Sequence, residues 1–260
     1  MTNSMPQATL ALNPVTKLVL MFLITTPLLL SVDWVSATVS LAITLLAAPL
    51  CGVNWWRLAR MAWPLFIAAP LSGISMLLYG APGGEEYLSW GLITVSDNSI
   101  RLAVAIMLRV LAVALPVIIL ARGIDPTELG DALAQVWHLP ARFVIGAVAG
   151  VRLVTLFRDD WDAMNRSRRA RGLTDRGRIR HYVTMSFGLL VLALRRGGKL
   201  ATAMEARGFG RTPPHGRTRT WARPSRLKAR DWWAMGLGVL LAAIPVVVSI
   251  SVGAWRFFGL

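Results

Sequence analysis

Residues 232–250 read WWAMGLGVLLAAIPVVVSI, nineteen consecutive positions without a charged side chain. A helix needs about 20 mostly apolar residues to cross the hydrocarbon core of a bilayer, and a helix that is apolar on every face belongs in lipid or in the centre of a large core. The stretch predicts a membrane-spanning helix. Four earlier stretches have the same character: 18–30 with its flanks, 35–50, 61–78 and 102–120. The expected fold is therefore all-α, a polytopic membrane protein with about five transmembrane helices. Pro27, Pro64, Pro70, Pro116 and Pro245 fall in these segments. Neighbouring helices can satisfy the carbonyls that proline frees, so kinked spans are expected. Two further apolar runs, 143–157 and 183–194, are short and have Arg142, Arg152, Arg195 and Arg196 in or beside them. They predict amphipathic or partly embedded helices.

The composition agrees. Of 260 residues 55% are hydrophobic, mean hydropathy is +0.55, and 28 Lys and Arg stand against 13 Asp and Glu. Such a chain is too apolar for an ordinary soluble domain and too basic for a simple bundle of spans. The single Cys51 excludes an intrachain disulfide and a cysteine-based metal site. Met1 to Gln7 show neither a basic leader nor a small-residue cleavage site, so no removable signal peptide is expected.

Basic residues are unevenly distributed, with 21 of the 28 between Trp137 and Arg230. Positive charge is retained on the cytoplasmic side, which places this segment and the N-terminus inside. The loop 80–100, with Glu85, Glu86 and Asp97, then lies outside, and Arg57 and Arg60 lie inside. Three segments result: membrane helices over 1–122, a basic cytoplasmic or interfacial segment over 123–231, and a last transmembrane helix over 232–260. Trp34, Trp55, Trp56, Trp63, Trp90, Trp232, Trp233 and Trp255 fall near predicted span ends, as an interfacial aromatic belt requires.

Within the basic segment one pattern occurs twice, Ala170-Arg171-Gly172 and Ala206-Arg207-Gly208, 36 positions apart. Each ends a helix-like run, 154–170 and 199–206. In the first run Arg158, Asp162 and Arg166 recur every four residues and pair on one helix face. Glycine just past a helix end reflects its tolerance of positive φ, so two capped helices are one reading. The other is docking: an arginine between two small residues can approach another backbone, and its planar fork suits a bidentate grip on a carboxylate. A third match, at 121–123, ends the fourth predicted span and reads as a coincidence at the membrane boundary with a snorkelling Arg122.

These residues resemble a known family, the transmembrane T components of energy-coupling factor transporters, ABC-type importers of vitamins and transition metals. The resemblance is carried by Asn13-Pro14-Val15-Thr16-Lys17, by Pro126-Thr127-Glu128-Leu129 with Asp131-Ala132-Leu133, by Arg168-Arg169-Ala170-Arg171-Gly172-Leu173, and by Ala203-Met204-Glu205-Ala206-Arg207-Gly208-Phe209-Gly210. It covers about 13–250. It implies a scaffold in the bacterial cell membrane that holds a small substrate-binding S component and ends two coupling helices in the two motifs. Arg171 and Arg207, with Ala170, Gly172, Ala206 and Gly208, would dock on two ABC ATPase subunits; Pro126, Glu128 and Glu205 are supporting motif residues. The chain itself would bind no cofactor, ATP being held by the partner ATPases. The loop 211–230 is unusually basic and proline-rich for the family.

Other functions lack their chemistry. His138, His181 and His215 are scattered without ligand spacing, no nucleophile or paired-carboxylate constellation recurs on one face, and Asp159, Asp160 and Asp162 sit among arginines as surface ion-pair partners. No Gly-rich phosphate loop is present. Nucleic-acid binding would need aromatic residues among the arginines, and the positive-inside rule already accounts for the charge. A stand-alone carrier is the alternative; it needs polar groups in mid-membrane, and Arg109 is the main one, read as hydrogen-bonded to carbonyls of a neighbouring helix.

Overall fold

The structure is a computed structural model that describes residues 12–31, 33–80, 83–90, 93–172, 177–210 and 220–255. Among the described residues it is all-α apart from one small hairpin. In chain order the elements are α1 (Pro14–Leu30), α2 (Trp34–Leu50), α3 (Trp55–Met61), α4 (Leu65–Tyr79), β1 (Glu86–Trp90), β2 (Ile93–Ser96), α5 (Asp97–Ala121), α6 (Pro126–Gln135), α7 (Ala141–Ala170), α8 (Arg178–Ala206) and α9 (Ala229–Ser251). They form two compact units, Met1–Ile124 with Leu227–Leu260, and Asp125–Arg226.

In the first unit α1, α2 and α9 pack on one another and on α5, and α4 lies along α5. Small and polar side chains face inward. Along α2, Ser36, Ser40, Thr44 and Ala48 recur every four residues and are buried, while Trp34, Leu46 and Leu50 are exposed. Phe22, Phe66, Leu71, Leu237, Leu240 and Val247 are likewise exposed on neighbouring helices. A water-soluble protein buries such side chains. Helices in lipid gain by close backbone approach over small residues and leave large apolar groups outward. Gly238 illustrates the approach, since a Cβ there would sit 2.2 Å from Leu20 Cδ2. The protein is a membrane protein on this pattern.

α5 and α9 are long and apolar enough to cross a bilayer, and α1 and α4 are shorter apolar helices. The stretch 61–78, expected as one segment, is divided: α3 ends at Met61, Ala62 to Pro64 form a turn, and α4 begins at Leu65. Pro64 lacks an N–H and disfavours helix in the residue before it. α3 is bent 118° from α2 and turns Leu58 and Ala62 into a cluster with Ala48, Val53 and Leu115. The loop 80–100 contains the unexpected antiparallel hairpin, pairing Leu88 with Val95 and Trp90 with Ile93.

The second unit holds α6, α7 and α8. The adjoining runs expected at 143–157 and 154–170 form the single 30-residue α7, and those at 183–194 and 199–206 lie in the 29-residue α8. Gly197 and Gly198 do not interrupt α8, and space is open beside both. α6 packs closely on α7, where a Cβ at Gly130 would lie 2.3 Å from Val148 Cγ2. The Gln135 side-chain amide holds residues 223–225, donating to the Arg223 carbonyl at 2.8 Å and accepting the Ser225 N–H at 2.9 Å.

Candidate functional site

Both long helices of the second unit end in the same local geometry. Arg171 caps α7 with φ −91° and ψ 6°, and Arg207 caps α8 with φ −83° and ψ 7°. Gly172 and Gly208 follow at φ +67° and +78°. The Gly172 N–H donates to the Arg169 carbonyl at 3.0 Å. After α8, the Gly208 N–H reaches Glu205 O and the Phe209 N–H reaches Met204 O, each at 2.9 Å. This crossed pair of bonds is a Schellman cap, which needs a left-handed residue that glycine supplies without a Cβ penalty.

The cap accounts for glycine at each motif. It does not account for arginine. Arg171 and Arg207 are exposed, and among the described residues neither guanidinium has a hydrogen-bond or ion-pair partner. Any cation gains about 0.3–1 kcal/mol near a helix C-terminus, which does not call for the planar fork of arginine. Ala170 and Ala206 are exposed last helical residues, which keeps the approach to each arginine open. Leu173, His215, Arg217 and Arg219 lie outside the described residues.

The third match differs in geometry. Arg122 is extended at φ −62° and ψ 131°, its carbonyl accepts Lys17 Nζ at 3.5 Å, and its Nη1 is buried without a hydrogen-bond partner among the described residues.

Pro126 occupies the first turn of α6 and Glu128 is exposed in that turn. Asp125 precedes them and accepts the N–H groups of Thr127 at 2.7 Å and Glu128 at 3.3 Å. These two backbone bonds hold its carboxyl below the usual aspartate range. Glu205 is exposed in the last turn of α8.

The N-terminal motif has an internal partner that sequence alone did not reveal. Asn13 caps α1 by accepting the Val15 N–H at 3.0 Å, and Pro14 fills the first helical position. The fully buried carboxylate of Asp231, in the first turn of α9, accepts the Asn13 N–H at 2.8 Å, the Thr16 hydroxyl at 3.2 Å and the Lys228 N–H at 2.8 Å. At the other end of α9, Ser249 Oγ donates to the buried Asp33 at 2.5 Å. Asp33 also accepts from the hydroxyls of Ser31 and Ser36 and from the Ser36 N–H. Arg109 is half-buried in α5 and lies within reach of the Asp33 charge. Among the described residues it makes no hydrogen bond, so the expected contact with neighbouring carbonyls is not formed.

Residues 7–218, a span that takes in both Ala-Arg-Gly motifs, match the CbiQ family, described as cobalt transport proteins. The chain belongs to this family. It is 25% identical over 260 residues to the energy-coupling factor transporter transmembrane protein EcfT of Brevibacillus brevis, covering 94% of this chain and 92% of that one. The EcfT of Limosilactobacillus fermentum is 26% identical over 214 residues, covering 76% and 72%. EcfT 1 of Listeria monocytogenes is 25% identical over 249 residues, with 91% of each chain covered. Family and relatives are transport components, in agreement with the resemblance carried by the motifs.

Proposed function

We propose that the chain is the T component of an energy-coupling factor importer, a membrane scaffold that links two cytoplasmic ABC ATPase subunits to a small membrane-embedded S component. The observation that carries this reading is the pair of helix ends with the same backbone angles, each presenting an exposed arginine that has no partner among the described residues. Two equivalent ends suit two equivalent acceptors, one on each ATPase.

α1, α2, α4, α5 and α9 form the membrane part, with the N-terminus and 123–231 in the cytoplasm. ATP binds to the partner ATPases, and this chain is not catalytic. Closure of the ATPase pair changes the separation of Arg171 and Arg207, and α7 and α8 convert that change into a change of angle. A two-state element biased by ligand is what such coupling requires. The cargo is a vitamin or a transition-metal ion, recognised by the S component; cobalt is the metal in the family's description.

The test is affinity purification of the tagged chain from its native membrane, with mass spectrometry of bound proteins. Two ATPase chains, or one as a homodimer, together with a small membrane protein are expected. A chain that purifies alone and still supports uptake in vesicles contradicts the reading.

A further inference from the structure

α7 and α8 are joined through 171–177 and run antiparallel, and their side chains meet in one short zone. Arg168 Nη1 donates to Thr184 Oγ1 at 2.8 Å. Met164 Cε overlies Gly188, where an added Cβ would lie 2.8 Å away. The Trp161 and Tyr182 rings stack with centroids 6.3 Å apart. Asp160 receives both terminal nitrogens of Arg196, Nη2 at 2.9 Å. Residues 160, 164 and 168 share one face of α7, and 184, 188 and 196 share one face of α8, because four-residue steps nearly repeat around a helix.

The register of these contacts is uneven. Arg168 with Thr184 and Met164 with Gly188 follow one antiparallel alignment, in which Asp160 faces position 192. Its partner is instead Arg196, one turn farther along α8. Helical side chains lean toward the N-terminus, so the long arginine reaches back by about one turn to meet the carboxylate. The other contacts between the two helices, among the described residues, are one hydrogen bond, one methionine over a glycine and one ring stack. Among the described residues only Val144 in α7 and Met185 in α8 are buried, so interlocking apolar ridges, which ordinarily set a crossing angle, are few.

We propose that Asp160 and Arg196 are positioning residues that set the angle between α7 and α8 and thereby the separation of Arg171 and Arg207. The proposal rests on the docking role of those two arginines. Arg171 lies seven residues past Met164 and Arg207 nineteen past Gly188, about 10 Å and about 28 Å along the two axes at 1.5 Å per residue. The two arms point away from the crossing in opposite directions, so a rotation there carries Arg207 through the larger arc. The side chains of Arg196 and Asp160 remain 37% and 17% exposed, and partly exposed pairs contribute little to global stability. Breaking this pair frees the angle and leaves the helices folded.

The test is double electron–electron resonance between nitroxides at Ser167→Cys and Thr202→Cys, in a Cys51→Ser background, with the full chain in lipid nanodiscs. The native pair gives a single narrow distance distribution. Asp160→Asn loses it and broadens the distribution; Asp160→Glu, which keeps the carboxylate, and the exchange Asp160→Arg with Arg196→Asp restore a narrow one. A native chain already broad, an Asp160→Asn distribution equal to native, or an exchanged pair as broad as Asp160→Asn each overturns the proposal. The readout needs no ATPase. Its failure leaves the docking reading intact, and failure of the native chain to capture ATPases sinks docking without altering the measured distances.

Discussion

The Asp231 carboxylate in the first turn of α9 accepts the backbone N–H of Asn13 at 2.8 Å, across 218 positions of sequence. One buried acceptor thus ties the start of the first helix to the start of the last. The same carboxylate takes the Thr16 hydroxyl and the Lys228 N–H, so the Asn-Pro-Val-Thr-Lys motif serves the packing of the membrane unit.

Asp231→Ala leaves these donors unpaired. A buried donor without an acceptor costs about 1–3 kcal/mol, and a lowered midpoint of thermal unfolding in detergent is expected. Asp231→Asn keeps one acceptor oxygen and should fall between native and alanine. Equal midpoints for all three would remove the tie from the account.

The opposite end of α9 gives an independent check. Ser249→Ala removes one of the four donors on Asp33, and Gly238→Leu forces a side chain against Leu20. Gly238→Leu should be the more damaging, since overpacking a close helix contact costs about 1–3 kcal/mol, and the order of the two unfolding midpoints measures it.

At the motifs, Gly208→Val should fray the end of α8, because a β-branched residue at φ +78° is strained. Faster amide exchange at position 208 and at Phe209 is the expected signature, with exchange in the middle of α8 unchanged. ATPase capture should weaken in parallel, since the cap fixes the direction from which Arg207 leaves the helix.

Asp125 supplies a pH dependence. Its folded carboxyl titrates below the usual aspartate range because two backbone N–H groups bind the ionised form. The support it gives α6 is complete above the unfolded aspartate pKa of about 3.9 and disappears as pH falls through the lower folded value. In Asp125→Asn the α6 amides should show no loss of protection specific to this interval, by hydrogen exchange compared with native protein.

The apolar runs at 102–120 and 232–250 were legible because lipid demands length and uniformity, and both lie within continuous helices, α5 and α9. The boundary at Ala62 to Pro64 was concealed inside an apolar stretch, where hydropathy does not register a turn although Pro64 marks one. The continuity of α7 and α8 was hidden by their change from apolar to basic composition along the axis. Arg171 and Arg207 could be found from a repeated tripeptide. Their exposure and matching caps needed coordinates, as did the partnership of Asp160 with Arg196 and of Asp231 with Asn13, because nothing local marks residues that meet only after folding.

Retention of the ATPase subunits by Arg171→Glu, Arg207→Glu and the double variant is the most direct test of the docking role. Loss of a buried bidentate charge costs about 2–5 kcal/mol, so each single change should weaken capture roughly thirtyfold to several thousandfold, and the double change should abolish it. Arg217→Glu with Arg219→Glu in the basic loop should have a much smaller effect. Full retention by the double variant, or equal loss from the loop variant, would contradict the assignment of docking to the two Ala-Arg-Gly helix ends.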